Sequence, residues 1–129
     1  MDYPDEYRYS KEHEWVRVAG DEATLGITQF AQDELGDVVF VELPEVGDVF
    51  DADEEMGSIE SVKAVAELYT PVGGEVIACN QGIEDSPELV NSDPHGEGWL
   101  VRIRMSQPDQ VGALMTAQQY VALTGAGAG

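Results

Sequence analysis

Apolar and polar residues alternate along most of the chain, the period of half-buried β-strands. In residues 15–19, Val16 and Val18 face one way and Trp15 and Arg17 the other; Ala23, Leu25 and Ile27 repeat the period. Residues 28–35 break it. Thr28 suits a helix N-cap, Phe30, Ala31 and Leu35 share one helical face, and Gly36 ends the helix. Residues 38–43 form a dense apolar strand closed by Pro44-Glu45-Val46-Gly47, and residues 74–79 form another. Ser86-Pro87-Glu88 supplies a cap, a first-turn proline and an acid, a helix start that Pro94 stops soon after Val90. Trp99, Val101, Ile103 and Met105 then alternate with Leu100, Arg102 and Arg104. Residues 108–123 read as two short helices, the second capped by Thr116. The expected organisation is one mainly β domain over residues 1–123, with an N-terminal tail over 1–8 and a flexible Gly/Ala tail over 124–129.

Two alternating segments, residues 55–61 and 65–69, flank Lys63, one of only two lysines in the chain. Its neighbours Val62 and Ala64 are apolar, so no adjacent acid pairs with it. A long amine at the tip of a rigid hairpin is what an acylating enzyme requires. An ordinary solvated turn lysine fits the local sequence equally, and no Asn-Gly or glycine pair marks a tight turn here. A weak repeat brackets the lysine: Pro44-Glu45-Val46-Gly47-Asp48-Val49 resembles Pro71-Val72-Gly73-Gly74-Glu75-Val76, which suggests two similar half-sheets.

Charge narrows the function. The net charge of −20, from 26 acidic and six basic residues, excludes nucleic acid and anionic membranes as partners. It suits basic docking surfaces or a small cationic cargo. Such self-repulsion fits a high-salt cytoplasm or simply an acidic carrier, and both readings stand. No apolar run is long enough to span a bilayer, and residues 1–7 carry no apolar block of a signal peptide, which points to a cytoplasmic protein. Cys79, the single cysteine, lies in an apolar-rich run and reads as a buried, inert thiol.

A series of segments carries a resemblance over residues 9–123. They are Tyr9-Ser10-Lys11-Glu12-His13-Glu14-Trp15, Leu25-Gly26-Ile27-Thr28, Ala31-Gln32 and Leu35-Gly36-Asp37-Val38-Val39-Phe40-Val41. Leu43-Pro44, Glu60-Ser61-Val62-Lys63-Ala64, Tyr69-Thr70-Pro71-Val72 and Gly74-Glu75-Val76 continue it, and Ser86-Pro87-Glu88-Leu89-Val90-Asn91 and Gly98-Trp99 complete it. In this order the chain resembles the H-protein family of the glycine cleavage system, whose members bear a lipoyl group on one lysine.

The resemblance implies a barrel-sandwich hybrid of the lipoyl and biotinyl type, with short helices and a C-terminal helical segment. It implies lipoic acid attached to Lys63 as N6-lipoyllysine, with Glu60, Ser61, Val62 and Ala64 forming the turn that the lipoyl-attaching enzyme reads. Glycine decarboxylase, a pyridoxal-phosphate enzyme, would load an aminomethyl group on the arm. Aminomethyltransferase would pass the one-carbon unit to tetrahydrofolate, and dihydrolipoyl dehydrogenase would reoxidise the dithiol. The carrier itself, expected to be a monomer, would have no active site. By the same resemblance Glu14 shelters the cationic cargo, and Glu67 stands where an acid is common. Two positions depart from the family: Glu34 where histidine is frequent, and His95 in place of a tyrosine, read as a surface-loop substitution.

Other readings are weaker on the residues. Two histidines, one cysteine and no Gly-x-Ser-x-Gly elbow leave little for nucleophilic catalysis, and few soft ligands for a metal. Biotin carriers flank their lysine with methionines, and lipoyl domains of 2-oxoacid dehydrogenases carry Asp-Lys-Ala; neither stands here. A lipoyl relay, donating lipoyl groups to other complexes, uses the same lysine and remains an alternative.

Overall fold

The computed structural model describes residues 6–124; of the Gly/Ala tail expected over 124–129, Thr124 instead ends a helix and the rest lies outside the described residues. Among the described residues nine strands form two antiparallel sheets. Six of them, β1 (Arg8–Tyr9), β2 (Glu14–Ala19), β3 (Glu22–Ile27), β9 (Val101–Met105), β8 (Gly74–Cys79) and β5 (Val49–Phe50), lie in that spatial order. The other sheet orders β4 (Val38–Glu42), β6 (Glu55–Ser61) and β7 (Val65–Tyr69). The mainly β expectation holds, and β6, β7 and β8 begin and end where the alternation places them.

The main core fills the space between the sheets, with Leu25, Ile59, Leu68, Val76 and Ile103 among its buried side chains. A second cluster gathers Tyr7, Tyr9, Trp15, Ala117 and Tyr120. That second cluster corrects the reading of residues 15–19. Trp15 and Val16 are both fully buried, because one faces the aromatic cluster and the other the main core, whereas Val18 is 42% exposed. The Trp15 indole donates to the Pro94 carbonyl at 2.8 Å and stacks on Tyr7. Tyr7 is therefore buried and Arg8 paired in β1, although the sequence assigned both to a tail.

Helix α1 (Gln29–Leu35) follows its local signals. The Thr28 hydroxyl accepts from Ala31 N–H, and Gly36 closes the last turn by donating to the Gln32 carbonyl at 2.9 Å. The Ser86-Pro87-Glu88 signal precedes α3 (Leu89–Ser92), and α2 (Gln81–Asp85), capped by Asn80, went unread. At the C-terminal end a 3-10 helix (Pro108–Ala113) precedes α4 (Ala117–Thr124). There Thr116 and Gln119 bond reciprocally as a capping box.

The two repeat units do not found separate half-sheets. β5 and β8 pair with each other at the edge of the larger sheet, Val49 opposite Glu75 and Phe50 opposite Gly74. Cys79 is half-buried rather than buried, and its thiol donates to the Pro44 carbonyl at 3.0 Å. Desolvation, with Glu84 and Asp48 nearby, raises its pKa and keeps it protonated.

Candidate functional site

Lys63 is the middle one of the three residues, Val62, Lys63 and Ala64, that join β6 to β7 in a turn. Ser61 makes that turn. Its backbone N–H donates to Ala64 O at 2.8 Å, and its buried hydroxyl accepts from the N–H groups of Lys63 and Ala64 at 3.3 and 3.1 Å. This serine-centred geometry supplies what a glycine pair supplies in a tighter hairpin. Val62 is 72% exposed, yet its N–H donates to Asp37 O at 3.1 Å, which ties the turn to the joint between α1 and β4.

That joint is braced from α3. Asn91 accepts from Val38 N–H and donates to Gly36 O, each at 2.8 Å, and also donates to the Gln32 side chain. Gly36 has φ 79° and ψ −153°, a conformation open only to glycine. The backbone below Lys63 is thus fixed while the lysine side chain is exposed.

Beside the turn lies a cleft of about 480 Å³ between α1, the β1–β2 turn and the free edge of β7. Phe30, Ala31, Leu35, Ile59 and Ala64 give it apolar walls, and Glu12, Glu14, Glu34 and Glu67 bring carboxylates. Glu14 is only 2% exposed. Its Oε1 accepts from the Ser10 hydroxyl and its Oε2 from Tyr69 N–H at 3.4 Å, while its own N–H donates to Ser10 Oγ at 3.0 Å. Burial raises its pKa to about 7 against the lowering effect of those bonds, so the group is poised between charge states at neutral pH.

Glu67 reaches the same cleft from β7 and is exposed, as is Glu34 on α1. Glu14, Glu67 and Ala64 therefore meet in one cavity. Glu60 does not. It sits in a cross-strand row with Phe40 and Val65, on the sheet face opposite the buried Val41 and Ile59.

His13 and Phe30, absent from the expected site, line the cleft too. His95 is no plain surface substitution: half-buried, its Nε2 accepts from Gln29 N–H at the start of α1, at 3.1 Å. A larger hollow of about 700 Å³, lined in part by Lys11, Asp53 and Leu123, contains none of the expected residues. Among the described residues no three His, Cys, Asp or Glu side chains are grouped to hold a metal. No helix among them is long and apolar enough to cross a membrane.

An exposed lysine on a braced hairpin beside an apolar, carboxylate-bearing cleft is the geometry of a carrier. The family model for the glycine cleavage H-protein matches residues 7–126. The chain belongs to that family. It is 54% identical over 124 residues to glycine cleavage system H proteins of Bacillus cereus and Bacillus anthracis, covering 96% of this chain and 98% of theirs. The crystal structure of a glycine cleavage system H protein from Mycobacterium marinum superposes with a TM-score of 0.89 at 37% identity, over 95% of this chain and 99% of that one. As a member of the family, this protein is a non-catalytic carrier of the glycine cleavage system, and its cofactor is a covalently attached lipoyl group.

Proposed function

We propose that Lys63 is the lipoyl-bearing residue and that the adjoining cleft shelters the aminomethyl cargo, with Glu14 and Glu67 as its carboxylates. One observation carries this reading: Lys63 stands one residue from Ala64, which lines the cleft, whereas Lys11 lines the separate hollow. The residues fit the group. A Cβ at Gly36 would come within 3.3 Å of Lys63 Cε, so the bare glycine leaves the stem a path along the end of α1. The apolar walls suit a hydrocarbon arm. When bound, the lipoyl group supplies a disulfide that opens to take up the cargo.

The chain's own part is to hold, exclude water and neutralise. Phe30 and Leu35 keep the cleft apolar, so a charge inside it meets little competing solvent. Buried Glu14 is poised between its charge states, and a cation placed beside it favours the ionised form, so charge develops where the cargo needs it. Glu67, at the mouth, adds a solvated carboxylate.

The partners follow from the cycle: glycine decarboxylase loads, aminomethyltransferase unloads, and dihydrolipoyl dehydrogenase reoxidises, all in the cytoplasm. A monomeric carrier with a net charge of −20 suits basic docking surfaces on each. Glu60, Ser61, Val62 and Ala64 present Lys63 to the lipoyl-attaching enzyme, Ser61 through the turn it builds. In a reconstituted glycine cleavage assay, Lys63→Arg folds normally and supports no turnover. Substantial turnover by that variant overturns the assignment.

A further inference from the structure

The β1–β2 turn holds its histidine in an unusual way. His13 has φ 69°, in the left-handed region that few non-glycine residues occupy, and its backbone is locked there by two bonds. His13 N–H donates to Ser10 O at 3.1 Å, and Thr28 N–H donates to His13 O at 3.0 Å. The imidazole lies 4.8 Å from the Phe30 ring, and both rings line the cleft. Nδ1 is bonded to the Tyr120 hydroxyl at 2.8 Å, and Tyr120 in turn to Thr28 Oγ1 at 2.7 Å. Tyr120 is fully buried on α4, stacked on Tyr9, 107 positions along the chain from His13. A residue in the last helix thus fixes a ring in the wall of the cleft.

With Nδ1 occupied, Nε2 is the ring's remaining polar edge. We propose that His13 is a cargo-binding residue, its neutral Nε2 accepting a hydrogen bond from the cargo ammonium beside Glu14, and that Tyr120 is its positioning residue. This inference rests on the reading of the cleft as the cargo shelter. A hydroxyl both gives and takes a hydrogen bond, so the Tyr120–Thr28 pair can run in either direction. With Nε2 accepting from an ammonium, the proton sits on Nδ1, Nδ1–H donates to Tyr120, and Tyr120 donates to Thr28. With the cleft empty of cation, the pair can reverse and Tyr120 can donate to Nδ1. Either tautomer keeps the bonds from Tyr120 to Nδ1 and to Thr28 Oγ1, so the ring stays anchored in both states.

Charge supports the neutral ring. Desolvation lowers the His13 pKa, outweighing Glu12 and Glu34, which face it and raise it. A second cation beside an ammonium would repel it, whereas a neutral acceptor adds a bond that a fifth carboxylate would add only with more self-repulsion.

Two variants separate the ring's edges. His13→Asn tolerates the left-handed backbone and keeps an amide near the Nδ1 position, but has nothing at Nε2. Tyr120→Phe keeps the stacking and removes the relay. In lipoylated protein carrying the cargo, we expect His13→Asn to release its one-carbon unit about tenfold faster, the loss of one hydrogen bond to a charged group. Tyr120→Phe should shorten the lifetime less. In the parent, nitrogen NMR of His13 should show the Nδ1–H tautomer on loading. Glu14→Gln is the control for the shelter itself. Should Glu14→Gln shorten the lifetime while His13→Asn does not, or should the His13 tautomer ignore loading, the role of His13 is refuted and the shelter stands. Should neither variant alter the lifetime, the shelter reading falls and this inference with it.

Discussion

The Lys63 side chain passes over Gly36, close enough that a Cβ there would stand 3.3 Å from Cε and 3.8 Å from Nζ. The residue that ends α1 therefore also clears the path of the lysine in the turn after β6. Two demands meet at one glycine: a backbone at φ 79° and ψ −153°, and no side chain. Gly36→Ala should destabilise the fold by about 1–3 kcal/mol from backbone strain alone. It should also slow lipoylation, because the stem must shift. Thermal melting and a timed lipoylation assay read the two effects, and an unchanged melting temperature would remove the strain argument.

Glu14 makes stability depend on pH in a direction opposite to that of a salt-bridged acid. Its folded pKa is about 7 against an ordinary 4.5, so between those values the folded protein keeps a proton that the unfolded chain has released. Its ionisation therefore opposes folding progressively as pH rises through that window, and the effect levels off above it. The full span is on the order of 3 kcal/mol. Melting curves of the parent and Glu14→Gln from pH 4.5 to 8 should diverge in slope through this window, the parent losing stability relative to the variant. Parallel curves would show that Glu14 titrates alike in the folded and the unfolded chain.

With a net charge of −20, self-repulsion opposes the compact state, and salt screens it. Molar KCl shortens the screening length to about 3 Å. The melting temperature should rise steeply from low salt to molar KCl. A flat response would mean that the acids are spaced widely enough to ignore one another.

Sequence signals were legible where structure is local. The Thr28 cap and Gly36 stop frame α1, and alternation marks both arms of the Lys63 hairpin. The turn itself carried no familiar dipeptide because Ser61 builds it through a side-chain hydroxyl, a signal that any loop serine can mimic. Alternation failed at Trp15 because the first half of β2 is clamped between two apolar clusters, so Trp15 and Val16 are buried on opposite faces. The bond from Trp15 to Pro94 spans 79 positions and leaves no trace in local periodicity.

Half of the candidate site was legible in the same sense. Glu14 and Glu67 do reach one cleft with Ala64, while Glu60, expected only in the turn that the lipoyl-attaching enzyme reads, lies on the other face of its sheet because strand register sets its side. His13 was passed over, since its hold on the cleft comes from Tyr120 in the last helix, a contact that only the folded chain creates. His95 read as a loop residue for a like reason: the Gln29 amide it bonds is 66 positions away.

Peptide mass spectrometry after co-expression with a lipoate ligase and lipoate tests the assignment of Lys63 most directly. The chain offers only two lysines, Lys63 next to Ala64 of the cleft and Lys11 in the wall of the other hollow, so the outcome is sharp. The expected result is one lipoyl increment on the Lys63 peptide, absent from Lys63→Arg. An increment on Lys11, or none from a ligase active on a control carrier, would contradict it.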